Sequence, residues 1–385
     1  MKFNTPSSIK IGGKGNIKQV EIGGNAPISI QTMWKESIVG IEKNPDALFS
    51  ISKRINDLAA LGCDIVRFAV PDMESAVALC AIADVSVLPV VADIHFDYKL
   101  ALKCLEGNVS KIRINPGNIG SVEKVKAVVE KCKEKNVAIR VGINAGSLPR
   151  DLADKVESGK ITRAEALAET AFRETEVFNQ LDFKNYCVSM KASSVKETIE
   201  CNELFASKYN TPLHIGVTEA GPLINGVVKS TLAFSHLLTE GIGSTIRVSL
   251  SDTPESEVIT AREILREIGK REGGVQIVSC PRCGRNGFDV HGFVKRWQPE
   301  LASLKKDITV AVMGCVVNGP GEGKHADIGI TGTGDSVIIF KKGKVVRTIH
   351  PDENPSLDTQ QKLNSLQENA DKAFREELES LWKSL

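Results

Sequence analysis

The chain lacks a charge bias. Its 49 Lys and Arg against 48 Asp and Glu leave a formal net charge of +1, so no global field draws it to nucleic acid or to an anionic membrane. Affinity for anions has to come from local placement of Arg and Lys. No apolar run approaches the length of a membrane span. Residues 1–10 carry neither an apolar export core nor an arginine-rich amphipathic stretch, and no targeting signal is expected. The glycine-rich turn that marks a dinucleotide site is missing after the first strand candidate, and no flavin or nicotinamide pattern occurs elsewhere. Aromatics make up 5% of the chain and no arginine-rich run interleaves them, which weakens a nucleic-acid-binding reading. Nine cysteines is an odd count in a long chain and argues against a disulfide framework. Cys63, Cys80, Cys104, Cys132, Cys187 and Cys201 are scattered singly through apolar segments and are expected to be core thiols. Thiols kept reduced fit a cytoplasmic protein.

What is present is an alternation. At 385 residues the chain is long enough for one large and one small domain, and 42% hydrophobic with 25% charged residues is ordinary for a globular protein. Strand candidates fall at 28–33, 64–70, 88–94, 111–115, 137–144, 185–191, 213–219 and 244–250. Most are near-continuous apolar runs, as in parallel strands buried on both faces. Helical patterns lie between them. Asn44-Pro45 opens one over 47–61, stopped by Gly62. Residues 121–135 place Val122, Val125, Val128 and Val129 on one face. Thr253-Pro254-Glu255 opens another, with Asp252 or Thr253 as its cap. The longest connection, 145–181, holds a helix at 163–178 that covers one rim. Eight such units in about 250 residues give an α/β fold, an N-terminal (β/α)8 TIM-type barrel. The doubly wound open sheet is the alternative. A smaller α+β domain follows from Gly273-Gly274, with strands at 308–313, 337–340 and 344–349. The expected boundaries are 1–270, 271–350 and 351–385. The last is a polar linker and an amphipathic helix with Leu363, Leu366, Ala370, Phe374, Leu378 and Leu381, packed on the body or on a partner subunit.

In a barrel of this type the catalytic face lies at the C-terminal ends of the strands. Those ends carry Arg67; Asp93 and His95; Arg113 and Asn115; Arg140 and Asn144; Lys191; Thr218 and Glu219; Arg247 and Ser249. Five cations on five strands would meet at one mouth. Gathering them there, partly desolvated, is costly unless a polyanion compensates. A phosphate or diphosphate is the natural partner, because Arg binds it bidentately. Glu219 reads either as a proton donor or acceptor near a substrate hydroxyl or as charge balance for a neighbouring cation. Asp93 and His95 are expected to hydrogen-bond substrate; as metal ligands they lack a third partner.

Near the C-terminus stand Cys280-Pro281-Arg282-Cys283, then Cys315, then Glu322 between two glycines. The C-x-x-C spacing places two thiolates on one turn. Two readings stay open. One is structural zinc, with His291 or His325 as fourth ligand, beside a barrel that merely binds phosphate. The other is an iron–sulfur cluster whose hard, displaceable carboxylate leaves one iron exchangeable. The absence of a second cysteine pair, the Gly/Pro-rich loop 314–323 and the cationic barrel favour the cluster.

Ser279-Cys280-Pro281-Arg282-Cys283-Gly284-Arg285 and 312–322, Val-Met-Gly-Cys-Val-Val-Asn-Gly-Pro-Gly-Glu, resemble segments of the bacterial 4-hydroxy-3-methylbut-2-enyl diphosphate synthases. So do Val91-Ala92-Asp93-Ile94-His95-Phe96, Arg113-Ile114-Asn115-Pro116-Gly117-Asn118 and Arg140-Val141-Gly142-Ile143-Asn144. The likeness runs from Ile28 to Ile349 and is to the short two-domain form, without the domain inserted in plant-type members. It implies reductive ring opening of 2-C-methyl-D-erythritol 2,4-cyclodiphosphate, with two electrons entering through a [4Fe–4S] cluster and water leaving. It implies that Cys280, Cys283 and Cys315 hold three irons and Glu322 the fourth. Arg67, Arg113, Arg140, Lys191, Arg247 and Ser249 would hold the diphosphate. Asp93, His95, Asn115, Asn144 and Thr218 would add polar contacts, and Glu219 an acid/base role. It further implies an external electron donor, flavodoxin or ferredoxin, and a homodimer in which the barrel of one subunit is completed by the cluster domain of the other.

Overall fold

Asn44 shows how local sequence starts the helices. Its side-chain oxygen accepts from Ala47 N at 3.1 Å, Pro45 takes the first helical position, and the helix Pro45–Leu61 ends at Gly62 with φ 105°. Thr162 and Glu165 form a capping box ahead of Arg163–Gln180. Thr253 caps Pro254–Glu267 by accepting from Ser256 N. In Val122–Lys135, Val125, Val128 and Val129 are buried as expected, but Val122 is 60% exposed. It stands at the first helical position, beyond the barrel surface that covers the later turns.

A computed structural model describes residues 3–384 except 285, 286, 316, 318, 320, 353 and 355; the side chains of Pro116, Glu322 and Ser384 also lie outside the description. The chain divides into two compact units, Met1–Arg271 and Glu272–Leu385.

The first unit opens with an antiparallel pair that the sequence reading missed, β1 (Ser8–Ile11) and β2 (Val20–Gly23). Eight parallel strands follow: β3 (Ser29–Met33), β4 (Ile65–Ala69), β5 (Val90–Asp93), β6 (Lys111–Ile114), β7 (Ala138–Asn144), β8 (Tyr186–Lys191), β9 (His214–Ile215) and β10 (Thr245–Ile246). They run in the order β8-β7-β6-β5-β4-β3-β10-β9, and a parallel bridge from Val188 to Leu213 closes the ring. All eight expected strands are present. Regular pairing in β9 and β10 stops early, although Arg247 N still donates to Ile215 O at 3.1 Å and Thr218 N to Ala192 O at 3.0 Å. Ile9, Ile11, Val20 and Ile22 bury against Ile65, Val91, Ala138 and Cys187 at the N-terminal ends of the barrel strands. This hairpin seals the base with an apolar layer and leaves the opposite end as the mouth.

The second unit is one mixed sheet, β11 (Val275–Ser279), β12 (Ile308–Met313), β13 (Ile328–Thr333), β14 (Ser336–Lys341) and β15 (Lys344–Ile349), in that order. The first three strands are parallel and the last three antiparallel. Two of its strands, β11 and β13, and the helix Val290–Ser303 were not foreseen. The tail forms the helix Thr359–Ser384, whose Ala370, Ala373, Phe374 and Leu378 join the core of this same unit. The Phe374 ring stands edge-on to Trp297 at 4.9 Å and to Phe293 at 5.1 Å. Leu363, expected on the apolar face, is 54% exposed. No disulfide links any of the cysteines. Five of the six scattered thiols are buried and Cys80 is partly so.

Candidate active site

Residues paired between parallel strands point to the same face, and every second residue faces inward. The register therefore gathers polar side chains on the barrel interior. Met33 pairs with Arg67, Asp93 with Arg113, Arg113 with Arg140, and Asn144 with Lys191. Branched aliphatic side chains fill such an interior in most barrels. Here Arg67, Lys111, Arg113, Arg140, Lys191 and Arg247 occupy it, with Lys111 0% and Arg140 1% exposed.

Two buried carboxylates answer part of that charge. Asp93 accepts from Arg113 Nη1 at 3.0 Å, and Arg67 Nε stands 3.6 Å away. Burial alone would raise the Asp93 pKa; Arg67, the His95 contact, Arg113 and Arg140 outweigh it and hold the carboxyl ionised well below its ordinary range. Glu257, from the helix Pro254–Glu267, accepts from Arg247 Nη2 at 2.9 Å and from Lys35 Nζ at 2.8 Å. The expected requirement for a compensating polyanion is thus partly met by the protein.

The rest is unmet. Arg140 donates one bond, from Nη1 to Ser189 Oγ at 2.7 Å. Among the described residues, its Nε and Nη2, Arg113 Nε, Arg247 Nε, Lys111 Nζ, both amide atoms of Gln31 and His214 Nδ1 are buried without a partner. Desolvation lowers the pKa of Arg113 and Arg247, takes Arg140 and Lys191 well below their ordinary values, and brings Lys111 down to about 8. Burial, then Lys191, keeps His214 neutral, and its Nε2 lies 3.0 Å from Lys191 Nζ. Several unsatisfied cationic donors facing one interior are costly in an empty barrel and favourable around a polyanion.

Two glycines make room for these side chains. A Cβ on Gly142 would lie 2.9 Å from Arg113 Nη2, and one on Gly216 would lie 2.8 Å from Lys191 Nζ. Ser249, itself 9% exposed, accepts from Arg247 Nη1.

A cavity of about 650 Å³ opens at the C-terminal ends of the strands, lined in part by His95, Asn144, Ser147, Arg163, Thr218 and Glu219. Asn115 reaches its wall by donating to Ser147 Oγ at 2.9 Å. His95 Nε2 is 2.8 Å from Arg113 Nη1 and so couples the cavity to the cationic interior. Glu219 is exposed on that wall with a left-handed φ of 49°. A non-glycine residue held there costs roughly 1–3 kcal/mol, the kind of strain that collects at functional sites.

The cysteines belong to the second unit. Cys280 directly follows β11, with its N–H donating to Val312 O at 3.0 Å, and Cys315 lies two residues beyond β12. Because β11 and β12 are parallel, both emerge at the same sheet end. Gly287 N donates to Gly314 O at 2.7 Å and ties the segment after Cys283 to the one before Cys315. Cys315 is buried, Cys280 half-buried and Cys283 exposed. Arg282, between the paired cysteines, has a φ of 74°. Gly319 N donates to Cys315 O at 2.9 Å. Glu322 opens the short turn Glu322–His325; its side chain lies outside the described residues. Among the described residues, no three His, Cys, Asp or Glu are drawn together closely enough to hold one metal ion. His291 and His325, the alternative zinc ligands, are both exposed. The donor chemistry suits a soft polynuclear centre, since Cys280 and Cys315 leave one sheet end, Cys283 follows Cys280 by three residues, and a four-iron cluster spreads its thiolates wider than a single ion does.

Lys35, Gln31, Lys111, His214 and Glu257 were missed in the sequence. Lys111 and Gln31 had a signal, two residues before Arg113 and Met33 on the same strand face. Glu257 had none, because it reaches the site from a helix.

Comparison with known proteins fits this geometry. Residues 13–262 match the family model described as GcpE TIM-barrel domain, and 276–363 match the GcpE protein C-terminal domain. A 4-hydroxy-3-methylbut-2-en-1-yl diphosphate synthase (flavodoxin) of Treponema denticola is 56% identical over 393 residues, covering 98% of this chain and 98% of its own. Its counterpart in Treponema pallidum is 57% identical, covering 97% and 91%. That of Clostridium perfringens is 46% identical, covering 88% and 95%.

Proposed function

The chain belongs to the GcpE family, and from that premise we propose that it catalyses the reductive ring opening of 2-C-methyl-D-erythritol 2,4-cyclodiphosphate to 4-hydroxy-3-methylbut-2-enyl diphosphate. Atoms balance when two electrons and two protons enter: the carbon–oxygen bonds to the ring phosphate and to a hydroxyl break, a carbon–carbon double bond forms, and the protons go to the freed phosphate oxygen and to the hydroxyl, which leaves as water. The observation that carries this reading is the barrel interior, where Arg113, Arg140, Lys111 and Arg247 keep buried donors without partners among the described residues.

In this reading the cations bind the two phosphates and fix their orientation, releasing the cost of their own burial. Asp93 and Glu257 keep Arg113 and Arg247 in place while leaving guanidinium donors for the ligand. Asn115, Asn144 and Thr218 hold the carbon skeleton and its hydroxyls at the mouth. Glu219 supplies a proton to the departing oxygen, as a carboxyl on the cavity wall can do. Cys280, Cys283 and Cys315, with Glu322, would hold a [4Fe–4S] cluster, which when bound delivers the electrons and acts as a Lewis acid. The electrons come from a small external protein, flavodoxin by the relatives' names. A homodimer is part of the proposal, because the substrate's cations and the cysteines sit on separate units. No helix among the described residues is long and apolar enough to cross a membrane, and we place the reaction in the cytoplasm.

The test is anaerobic purification followed by metal and sulfide analysis and assay with reduced flavodoxin. Brown protein that contains iron and sulfide and converts the cyclic diphosphate is expected. Colourless protein with one zinc per chain and no turnover would overturn the proposal.

A further inference from the structure

We infer that Glu257 is a positioning residue, which sets Arg247 and Lys35 for the diphosphate; this rests on the function proposed above. Glu257 is 1% exposed and accepts from four donors that two segments supply, residues 32–35 and 247–250. Its Oε1 takes Arg247 Nη2 at 2.9 Å, Lys35 Nζ at 2.8 Å and Leu250 N at 3.1 Å. Its Oε2 takes Thr32 Oγ1 at 2.9 Å. Four bonds to one carboxylate leave it no alternative rotamer, and it sits in the first turns of a helix, whose N-terminal dipole favours the charge.

The arrangement does two things. It draws together two cations from the C-terminal ends of β3 and β10, which pair in the sheet. Without a shared carboxylate those cations would repel. It also occupies Nη2 of the Arg247 guanidinium, while Nη1 donates to the Ser249 hydroxyl and Nε is buried without a partner among the described residues. Nε is thereby held in place as a buried donor. Lys35, two residues past β3, is held by Glu257 and by Leu250 O at 2.8 Å, with its side chain still 30% exposed. It becomes a further cation for the phosphates at the rim.

The diphosphate is remote from the bond that breaks in this reading, so loss of its alignment should raise KM more than it lowers kcat. Glu257→Gln keeps the shape and removes the charge. We expect its KM for the cyclic diphosphate to rise about 10- to 100-fold, the worth of a charge-assisted hydrogen bond, with kcat changed much less. Adding Glu257→Gln to Arg247→Ala should raise KM little beyond Arg247→Ala alone, because the effect runs mainly through Arg247. A merely structural role predicts a lower Tm in both backgrounds with KM untouched. If Glu257→Gln does not fold, Glu257→Asp, which keeps the charge and withdraws it by one methylene, takes the same measurements. Calorimetric titration with inorganic pyrophosphate reads the site without turnover, and the same weakening is expected. Unchanged KM and pyrophosphate affinity in a folded variant, or full multiplication of the two KM effects, would overturn the inference. Wild-type protein that binds pyrophosphate through Glu257 yet leaves the cyclic diphosphate unconverted would count against the proposed reaction alone.

Discussion

Arg113 on β6 lies over Gly142 on the neighbouring β7, its Nη2 donating to Gly142 O at 3.4 Å. Any Cβ at residue 142 would stand 3.0 Å from the guanidinium carbon, so the glycine is what allows the arginine to lie flat against the barrel wall beside Asp93. Gly142→Ala should push Arg113 off that position. Overpacking of this kind costs about 1–3 kcal/mol. Chemical denaturation should show that loss, and calorimetry should show weaker pyrophosphate binding.

Lys111 gives a pH dependence with a definite sign. Burial, with Arg140 and Arg67 adding to it and Cys187 opposing, lowers its pKa from 10.5 to about 8. The unfolded chain therefore keeps this proton up to higher pH than the folded chain does. The penalty is full below about pH 8, and stability recovers as pH rises toward 10.5. Lys111→Met should stabilise the protein at pH 7 by about 3 kcal/mol before packing differences are counted. The advantage should shrink between pH 8 and 10.5. Denaturation of both proteins across that range measures it; a constant difference would contradict the titration of this amine.

Glu219 joins strain to chemistry. With φ at 49° on the cavity wall, Glu219→Gln keeps the size and loses the proton. Turnover should fall by about 10²- to 10⁴-fold with KM little changed. Glu219→Gly should lose turnover as well, yet be more stable by about 1 kcal/mol, since glycine accepts that backbone without penalty. Steady-state kinetics and thermal unfolding on the same preparations separate the two effects.

Phe374 tests whether the tail is structural. Its ring is fully buried against Phe293 and Trp297, and Phe374→Ala should cost about 3–5 kcal/mol. The loss should fall on the second unit, seen as faster proteolysis within residues 272–385 with pyrophosphate binding by the barrel retained.

The sequence by itself determined the barrel and its mouth. Near-continuous apolar runs with helices between them specify parallel strands covered on both faces, and the period of two places Arg67, Arg113, Arg140, Lys191 and Arg247 inside. It also marked the cysteines, since C-x-x-C and Cys315 stand out by residue type. The edge strand β11 was hidden because most of its residues are exposed, and the β1–β2 hairpin because four-residue strands carry too little pattern. Charge balance was decided only in three dimensions. Asp93 was legible as a polar strand end, but its role as partner to Arg113 and Arg67 depends on register. Glu257 is invisible in sequence because the residues it joins, Thr32, Lys35, Arg247 and Leu250, come from strands and loops that meet only when the ring closes. A strand pattern states which way a side chain points; which carboxylate answers which cation is set by closure of the barrel, and no local periodicity encodes it.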